Sequence, residues 1–407
     1  MMEDWIRRDA EPALARLGSQ RPVVVVTGAR QTGKTSLVRR VFPKHSFVSL
    51  DLPAEAEQAE KDPQGFLARH RTPIIIDEVQ YAPGMFRHLK AAVDARRKDN
   101  GQFILTGSQK FTLMQAVSES LAGRVGLLEL EGFGLPELRN AGVNLRTESI
   151  LVRGALPELY EKPGLDAAEF YRAYAATYLE RDLRSLLAVS SLRDFERFIR
   201  ACALRSAKLL NKAELARDVG ISPSTAAEWL SALETSNQIM LLEPWFSNGT
   251  LSLVKTPKLY LCDTGLLCFL LGITSARDLF ESPLVGSVWE TFVCAEIRRA
   301  IRYGHLHGDL FFWRDRTKEV DFLIHRGGRF ELFEAKWTEH PDRHDISALV
   351  KVIGELPARS VKHGAVICRA ANRYPLERRI EAVGVEDIVT AAYPKARGAD
   401  SSSSGES

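Results

Sequence analysis

The sequence predicts an α/β protein. A parallel sheet comes first, then a helical lid, a winged-helix segment and a C-terminal α/β region. Three observations carry this. Four valines, residues 23–26, lead into a glycine-bearing loop and a helix-compatible stretch. Two more short apolar runs, 73–76 and 103–105, end in polar residues and alternate with amphipathic stretches, as βαβ units do. Downstream, two strand patterns containing Asp321 and Glu334 follow a long amphipathic helix. The 407 residues exceed one ordinary core. The expected divisions are 1–131, 132–200, 201–256, 257–394 and a low-complexity, disordered tail at 395–407.

Composition narrows the class. Hydrophobic residues at 45% and charged residues at 26% describe a soluble globular chain. A formal charge of +3 exerts no global pull toward nucleic acid or an anionic membrane, so any basic surface is local. Cys202, Cys262, Cys268, Cys294 and Cys368 never form a C-x-x-C pair, which argues against a disulfide framework and a zinc site. A reducing, cytoplasmic setting is expected. The first 17 residues read as a charged amphipathic helix, not a signal peptide, and the apolar run 266–271 is too short to span a bilayer.

The first element is the strand–loop–helix at 22–37, which fits G-x-x-x-x-G-K-[ST] through Gly28, Gly33, Lys34 and Thr35. Such a loop wraps an anion with backbone N–H groups, here those of Gly28, Ala29, Arg30, Gln31, Thr32, Gly33, Lys34, Thr35 and Ser36, with the helix dipole behind them. Lys34 is expected on the β- and γ-phosphates, and Thr35 on the magnesium ion that accompanies a nucleotide. A second strand is expected at 46–50, followed by an acidic helical stretch.

The third strand delivers Asp77 and Glu78 to the carboxyl edge of the sheet, where open α/β sheets bind ligands. Asp77 suits a magnesium ligand through water, and Glu78 a base for the water that attacks the γ-phosphate. After a helix from 85 to about 97, the fourth strand ends in Thr106, Ser108 and Gln109. Ser108 reads equally as a γ-phosphate sensor or a turn former. Arg124, before a fifth strand, reads as a solvated arginine or as a finger on a γ-phosphate in its own or a neighbouring subunit; the latter implies a homo-oligomer.

Taken in order, residues 28–35, Asp77-Glu78, LTGSQ and LAGR resemble the AAA-related P-loop ATPases of bacteria and archaea. The resemblance runs through RGALPELY and the helix-turn-helix segment to the end of the ordered chain. It implies ATP rather than GTP. Arg153, Gly154 and Pro157 are similar to the Gly-x-Pro element of signal-transduction ATPases, which implies that Pro157 lies against the adenine.

Residues 132–200 have helical composition, with the strongest periodicity at 167–187. The next stretch reads as helix, turn at Gly220, cap at Ser222, Pro223, and helix, with Leu215, Ala216, Val219, Trp229, Leu230 and Leu233 facing inward. Residues 244–252 are expected to form a wing. The second helix offers Ser224, Thr225, Glu228 and Glu234 in place of base-reading side chains, which favours a structural role.

In the last region Glu334 and Lys336 share one strand face, and Asp321 reaches that face from the next strand. With Glu290 on the preceding helix, the order resembles the restriction-endonuclease-like PD-(D/E)XK core, although Val320 replaces the motif's proline. That resemblance implies carboxylates from Glu290, Asp321 and Glu334 on magnesium, Lys336 beside an attacking hydroxide, and DNA or RNA as partner. Trp313 and Arg314 read as nucleic-acid contacts or as packing. Two functions stand: an ATP-driven metal nuclease, and a nucleotide switch whose last domain only binds.

Overall fold

The computed structural model describes residues 5–108, 113, 117, 119–179, 192–245, 256–357 and 360–392. The expected tail and Gln109 lie outside these, as do residues 246–252 of the expected wing and 180–187 of the periodic stretch. The chain divides into two compact units. The first comprises Met1–Leu242 and Thr256–Ala295, the second Glu243–Lys255 and Glu296–Ser407. Among the described residues no helix is long and apolar enough to cross a membrane.

In the first unit, β1 (Val23–Thr27), β2 (Ser46–Ser49), β3 (Ile74–Asp77), β4 (Phe103–Gly107) and β5 (Val125–Glu129) form one sheet in the order β2-β3-β4-β1-β5. Every pairing is parallel. Strands β1, β3 and β4 are buried at every position, which explains their unbroken apolar runs. Val23, Val25, Ile74, Ile76, Phe103 and Leu105 join Phe66, Phe86 and Leu89 from flanking helices in one core. Parallel alignment brings the ends of β1, β3 and β4 to one edge. Thr27 pairs with Gly107, and Ile76 with Leu105.

The helical region follows as Leu135–Asn140, Thr147–Arg153, Glu158–Glu161, Ala167–Tyr174 and, after undescribed residues, Leu192–Ala203. Helices Lys212–Val219 and Pro223–Thr235 meet at Gly220, which is left-handed (φ 83°). Ser222 caps the second helix by accepting from the Thr225 N–H at 3.0 Å. The six inward-reading residues of this pair are all buried.

Strands β6 (Lys208–Leu209), β7 (Ile239–Leu242) and β8 (Lys258–Leu261) make an antiparallel sheet in the order β6-β8-β7. This corrects the expected boundary at 256/257, because β7 and β8 are hydrogen-bonded partners across it. Helix Thr264–Leu271 continues the same unit. Its Asp263 cap accepts from the Leu266 N–H and from the Ala155 N–H, both at 2.8 Å. Expected wing residue Pro244 instead bridges Phe312, and Trp245 packs edge-on against Phe330 at 4.9 Å, so both belong to the second unit. An indole finds more apolar cover there than a solvated wing provides.

Helix Val285–Arg302 begins in the first unit and ends in the second. The second unit holds β9 (Asp309–Arg314), β10 (Glu319–Arg326), β11 (Arg329–Ala335), β12 (Val361–Ile367), β13 (Tyr374–Glu377) and β14 (Ile380–Val383), in the order β13-β14-β12-β11-β10-β9. Strands β10 and β11 form a hairpin whose turn residues, Gly327 (φ 54°) and Gly328 (φ 77°), both take left-handed backbone. The β11–β12 and β12–β14 pairings are parallel, and helix Ser347–Glu355 covers the core.

Candidate nucleotide site and C-terminal carboxylate pair

The loop after β1 is shaped by close approach. A side chain at Gly28 (φ 148°) would place its Cβ 2.1 Å from the Leu130 carbonyl oxygen, so only glycine fits. Gly33 (φ 86°, left-handed) ends the loop and starts helix Lys34–Val41. Lys34 is buried, and its ammonium donates to the carbonyls of Gly28 (3.1 Å) and Ala29 (2.8 Å). The Thr32 hydroxyl closes the turn on the Ala29 carbonyl at 3.0 Å. Gln31 takes a positive φ of 61°, and Ser36 is exposed on the first helical turn.

Facing this loop, the Thr35 hydroxyl donates to Asp77 Oδ1 at 2.8 Å, and the Thr106 hydroxyl donates to the same oxygen. Ser49 reaches Asp77 Oδ2 at 3.4 Å. Asp77 is buried, and a buried carboxylate is held by such donors or by a cation. The oxygen donor set of Thr35 and Asp77 fits magnesium, a hard cation that prefers oxygen ligands.

Glu78 turns out of the strand in left-handed backbone (φ 55°, ψ 46°). Ser108 donates to its Oε1 at 3.1 Å, and the Gln80 amide donates to its Oε2. Strand β4 lies between the loop-bearing β1 and β3, so its terminal residues link the two.

Pro157 lies beside the loop, with its Cγ 3.7 Å from the position a Gly33 Cβ would occupy. Arg153 turns away to the carbonyls of Leu159 (3.0 Å) and Pro163 (3.0 Å), a local structural role.

Arg124 is a correction within its own chain. It precedes β5, whose Val125 pairs with Val23 at the start of β1, so it sits at the amino edge of the sheet, opposite the loop. Its guanidinium pairs with Asp94 at 2.7 Å.

Arg8, which belongs to no motif, also braces the loop. It is 2% exposed, and it donates to the carbonyls of Thr32 (2.9 Å) and Glu131 (2.6 Å) and to Glu137 Oε1 (3.2 Å). A lone arginine ahead of a helix carries no local signal of this.

In the second unit, the β10–β11 register sets Phe322 against Phe333, the neighbours in sequence of Asp321 and Glu334. Asp321 Oδ2 accepts from the Ala335 N–H at 3.0 Å, while Lys336 Nζ lies 2.9 Å from Glu334 Oε1. Both carboxylates are buried. Burial opposes the charge on Lys336, but Glu334 chiefly, with Asp321 and Asp345, holds its pKa above the usual lysine value.

Glu290 belongs to the first unit, where Lys258 (2.8 Å) and the Tyr260 hydroxyl (2.6 Å) both bond its Oε1. Among the described residues no group of three or more His, Cys, Asp or Glu side chains is arranged to hold a metal. Arg314 pairs with Glu319 at 2.7 Å, and Trp313 has the Lys351 ammonium 6.0 Å from its ring centre.

The first unit thus carries an ATPase-like AAA domain: residues 20–139 match the AAA domain family. Residues 145–277 and 285–388 match two domains of unknown function, DUF8612 and DUF4143. The chain belongs to the family of the uncharacterized protein Rv2008c of Mycobacterium tuberculosis. It is 33% identical to that protein over 390 residues, covering 94% of this chain and 85% of the relative. The same figures relate it to the uncharacterized protein Mb2031c of Mycobacterium bovis. Among solved structures it is similar to the Walker-type ATPase PABY2304 of Pyrococcus abyssi. The identity is 17% and the TM-score 0.47, with 66% of this chain and 97% of that chain covered.

Proposed function

We propose that the chain binds ATP with magnesium at residues 28–35 and hydrolyses it, with Asp77 beside the metal and Glu78 as base. The observation that carries this reading is the meeting of Thr35 and Asp77 at 2.8 Å, next to a buried Lys34 and a Glu78 held by Ser108. Thr35 and Asp77 would hold the magnesium ion, whose charge offsets that of the phosphates. Lys34 would leave the Gly28 and Ala29 carbonyls for phosphate oxygens. Glu78 takes the proton as the water oxygen bonds to the γ-phosphorus, and the bond to the β-phosphate oxygen breaks, releasing ADP. Pro157 beside Gly33 supports an adenine contact.

The test is ATP binding and turnover. Lys34→Ala should abolish binding, and Glu78→Gln should bind ATP without turning it over. Unchanged turnover in Glu78→Gln removes Glu78 from the mechanism.

For the second unit, Asp321 on β10, Glu334 on β11 and Lys336 just past the end of β11 support a magnesium-dependent phosphodiester-cleaving site acting on DNA or RNA. The hold of Lys258 and Tyr260 on Glu290 favours the second reading, a nucleotide switch whose last domain only binds a partner. Magnesium-dependent cleavage of labelled single-stranded, double-stranded or branched nucleic acid, lost in Lys336→Ala, selects the first; no cleavage of any substrate, with or without ATP, selects the second. The winged-helix reading, expected over 201–256, is supported by the β6-β8-β7 sheet beside a helix pair joined at Gly220. A homo-oligomer remains the setting in which Arg124 would serve a neighbour's site.

A further inference from the structure

Gln80 has no place in the mechanism above, yet it is among the most constrained side chains near the site. It is 7% exposed, its amide N–H donates to Glu78 Oε2, and its Oε1 finds no hydrogen-bond donor among the described residues. Leaving an amide oxygen buried and unmatched is costly. An amide turned the other way would set its oxygen against the Glu78 carboxylate, so the donor side must face Glu78. Room for the amide comes from Gly107 at the end of β4, where a Cβ would lie 2.6 Å from Gln80 Oε1. Glu78 itself is in left-handed backbone, and its carboxylate is bonded on one oxygen by Ser108 and on the other by Gln80.

We infer that Gln80 is a positioning residue for hydrolysis. It pins Oε2 of Glu78, so that Oε1 is the oxygen that accepts the water's proton. Ser108 occupies Oε1 at 3.1 Å and moves to the γ-phosphate when ATP binds, which frees that oxygen while Gln80 keeps the carboxylate aimed. The inference rests on Glu78 being the base. It adds a division of labour between the two carboxylate oxygens, set by one amide three residues beyond the strand.

The experiment is steady-state ATP hydrolysis by the full chain carrying Gln80→Met, which keeps volume and removes the unmatched oxygen, or Gln80→Asn, which withdraws the amide by one methylene. Glu78→Gln and wild type run alongside, with thermal unfolding of each. A kcat lowered about tenfold or more with KM within about twofold, and an unfolding temperature no lower than wild type for Gln80→Met, is the expected result. Unchanged or raised kcat in both Gln80 variants, with Glu78→Gln inactive, overturns the inference and leaves the base assignment intact. A parallel loss of kcat, ATP affinity and thermal stability assigns Gln80 to packing and equally overturns it. Turnover retained in Glu78→Gln overturns the base assignment and the inference together. Failure of one Gln80 variant to fold leaves the other to decide, since their steric demands differ.

Discussion

Replacing Arg8 by alanine should weaken both the first unit and its hold on ATP. The guanidinium and Glu137 form an ion pair at 3.2 Å with side chains 2% and 1% exposed. Breaking a buried pair from one side costs about 3–5 kcal/mol. Glu137 keeps the Asp9 N–H (2.6 Å) and the Gly134 N–H (2.7 Å), so the carboxylate is not stranded and the lower end, about 3 kcal/mol, applies. For a unit of this size that lowers its unfolding temperature by about 6–12 °C. The variant also frees the Thr32 carbonyl, so ATP must order loop backbone that Arg8 holds in advance. Fixing one residue costs about 1–2 kcal/mol, or about a tenfold weaker Kd. Differential scanning calorimetry and ATP titration read the two effects. An Arg8→Ala protein that melts within about 1 °C of wild type and binds ATP equally would refute the argument.

Three further outcomes follow from geometry. Gly154→Ala should destabilise the first unit by about 3 kcal/mol or more, because the new Cβ would lie 2.0 Å from the Tyr171 hydroxyl oxygen at a φ of 79°; soluble expression with wild-type melting would count against it. Asp315 loses some charge stability to burial, but the Lys351 ammonium and the Thr317 and Lys318 N–H groups hold its pKa well below the usual carboxylate value. Its folded pKa is depressed, so its stabilisation is present above the unfolded value of about 3.9 and is lost as pH falls below it. Asp315→Asn should therefore flatten the acid limb of stability against pH. Lys336→Ala removes the ammonium that offsets the buried Glu334 and Asp321 carboxylates, which should cost the second unit about 1 kcal/mol and make manganese stabilise the variant more than wild type. Equal metal shifts in both proteins would contradict that account.

What the sequence discloses depends on how local the signal is. The strand, loop and helix at 22–41 are adjacent in the chain, so glycine spacing and the valine run suffice to locate them. Strand order is set by long-range pairing, and nothing in residues 73–107 says that β4 inserts between β1 and β3. The place of Arg124 is legible in the sequence: a residue before a parallel strand lies at the amino edge, while nucleotide chemistry belongs to the carboxyl edge. The boundary at 256 does not hold because the polar stretch 244–252 reads as the wing that closes one domain, whereas β7 and β8 on either side of it pair. Glu290 finds Lys258 and Tyr260 two apart on one strand face, about thirty residues upstream, a contact that no spacing rule reaches. Gln80 and Arg8 act through backbone carbonyls or a neighbour's carboxylate, partners that composition does not reveal.

Asp263 binds the Ala155 N–H, and the backbones of Gly154 and Gly265 nearly touch, since a Cβ on Gly265 would lie 2.7 Å from Gly154 Cα. During synthesis this has a timing consequence. The segment beside the phosphate loop reaches its final packing only after residue 271 has left the ribosome, because helix Thr264–Leu271 supplies the other half of that seam. At about 5–20 residues per second, the roughly 110 residues between Gly154 and Gly265 take from 5 to 20 seconds or so to emerge. Through that interval the segment of Pro157, beside the phosphate loop, is held by the Phe133 N–H on the Ala155 carbonyl at 2.7 Å but lacks the Asp263 half of its seam. A chain stopped at 256 would remain in that state, so its defect would appear as poor nucleotide retention and exposed apolar surface on the Thr147–Arg153 helix, although every residue of the loop is present.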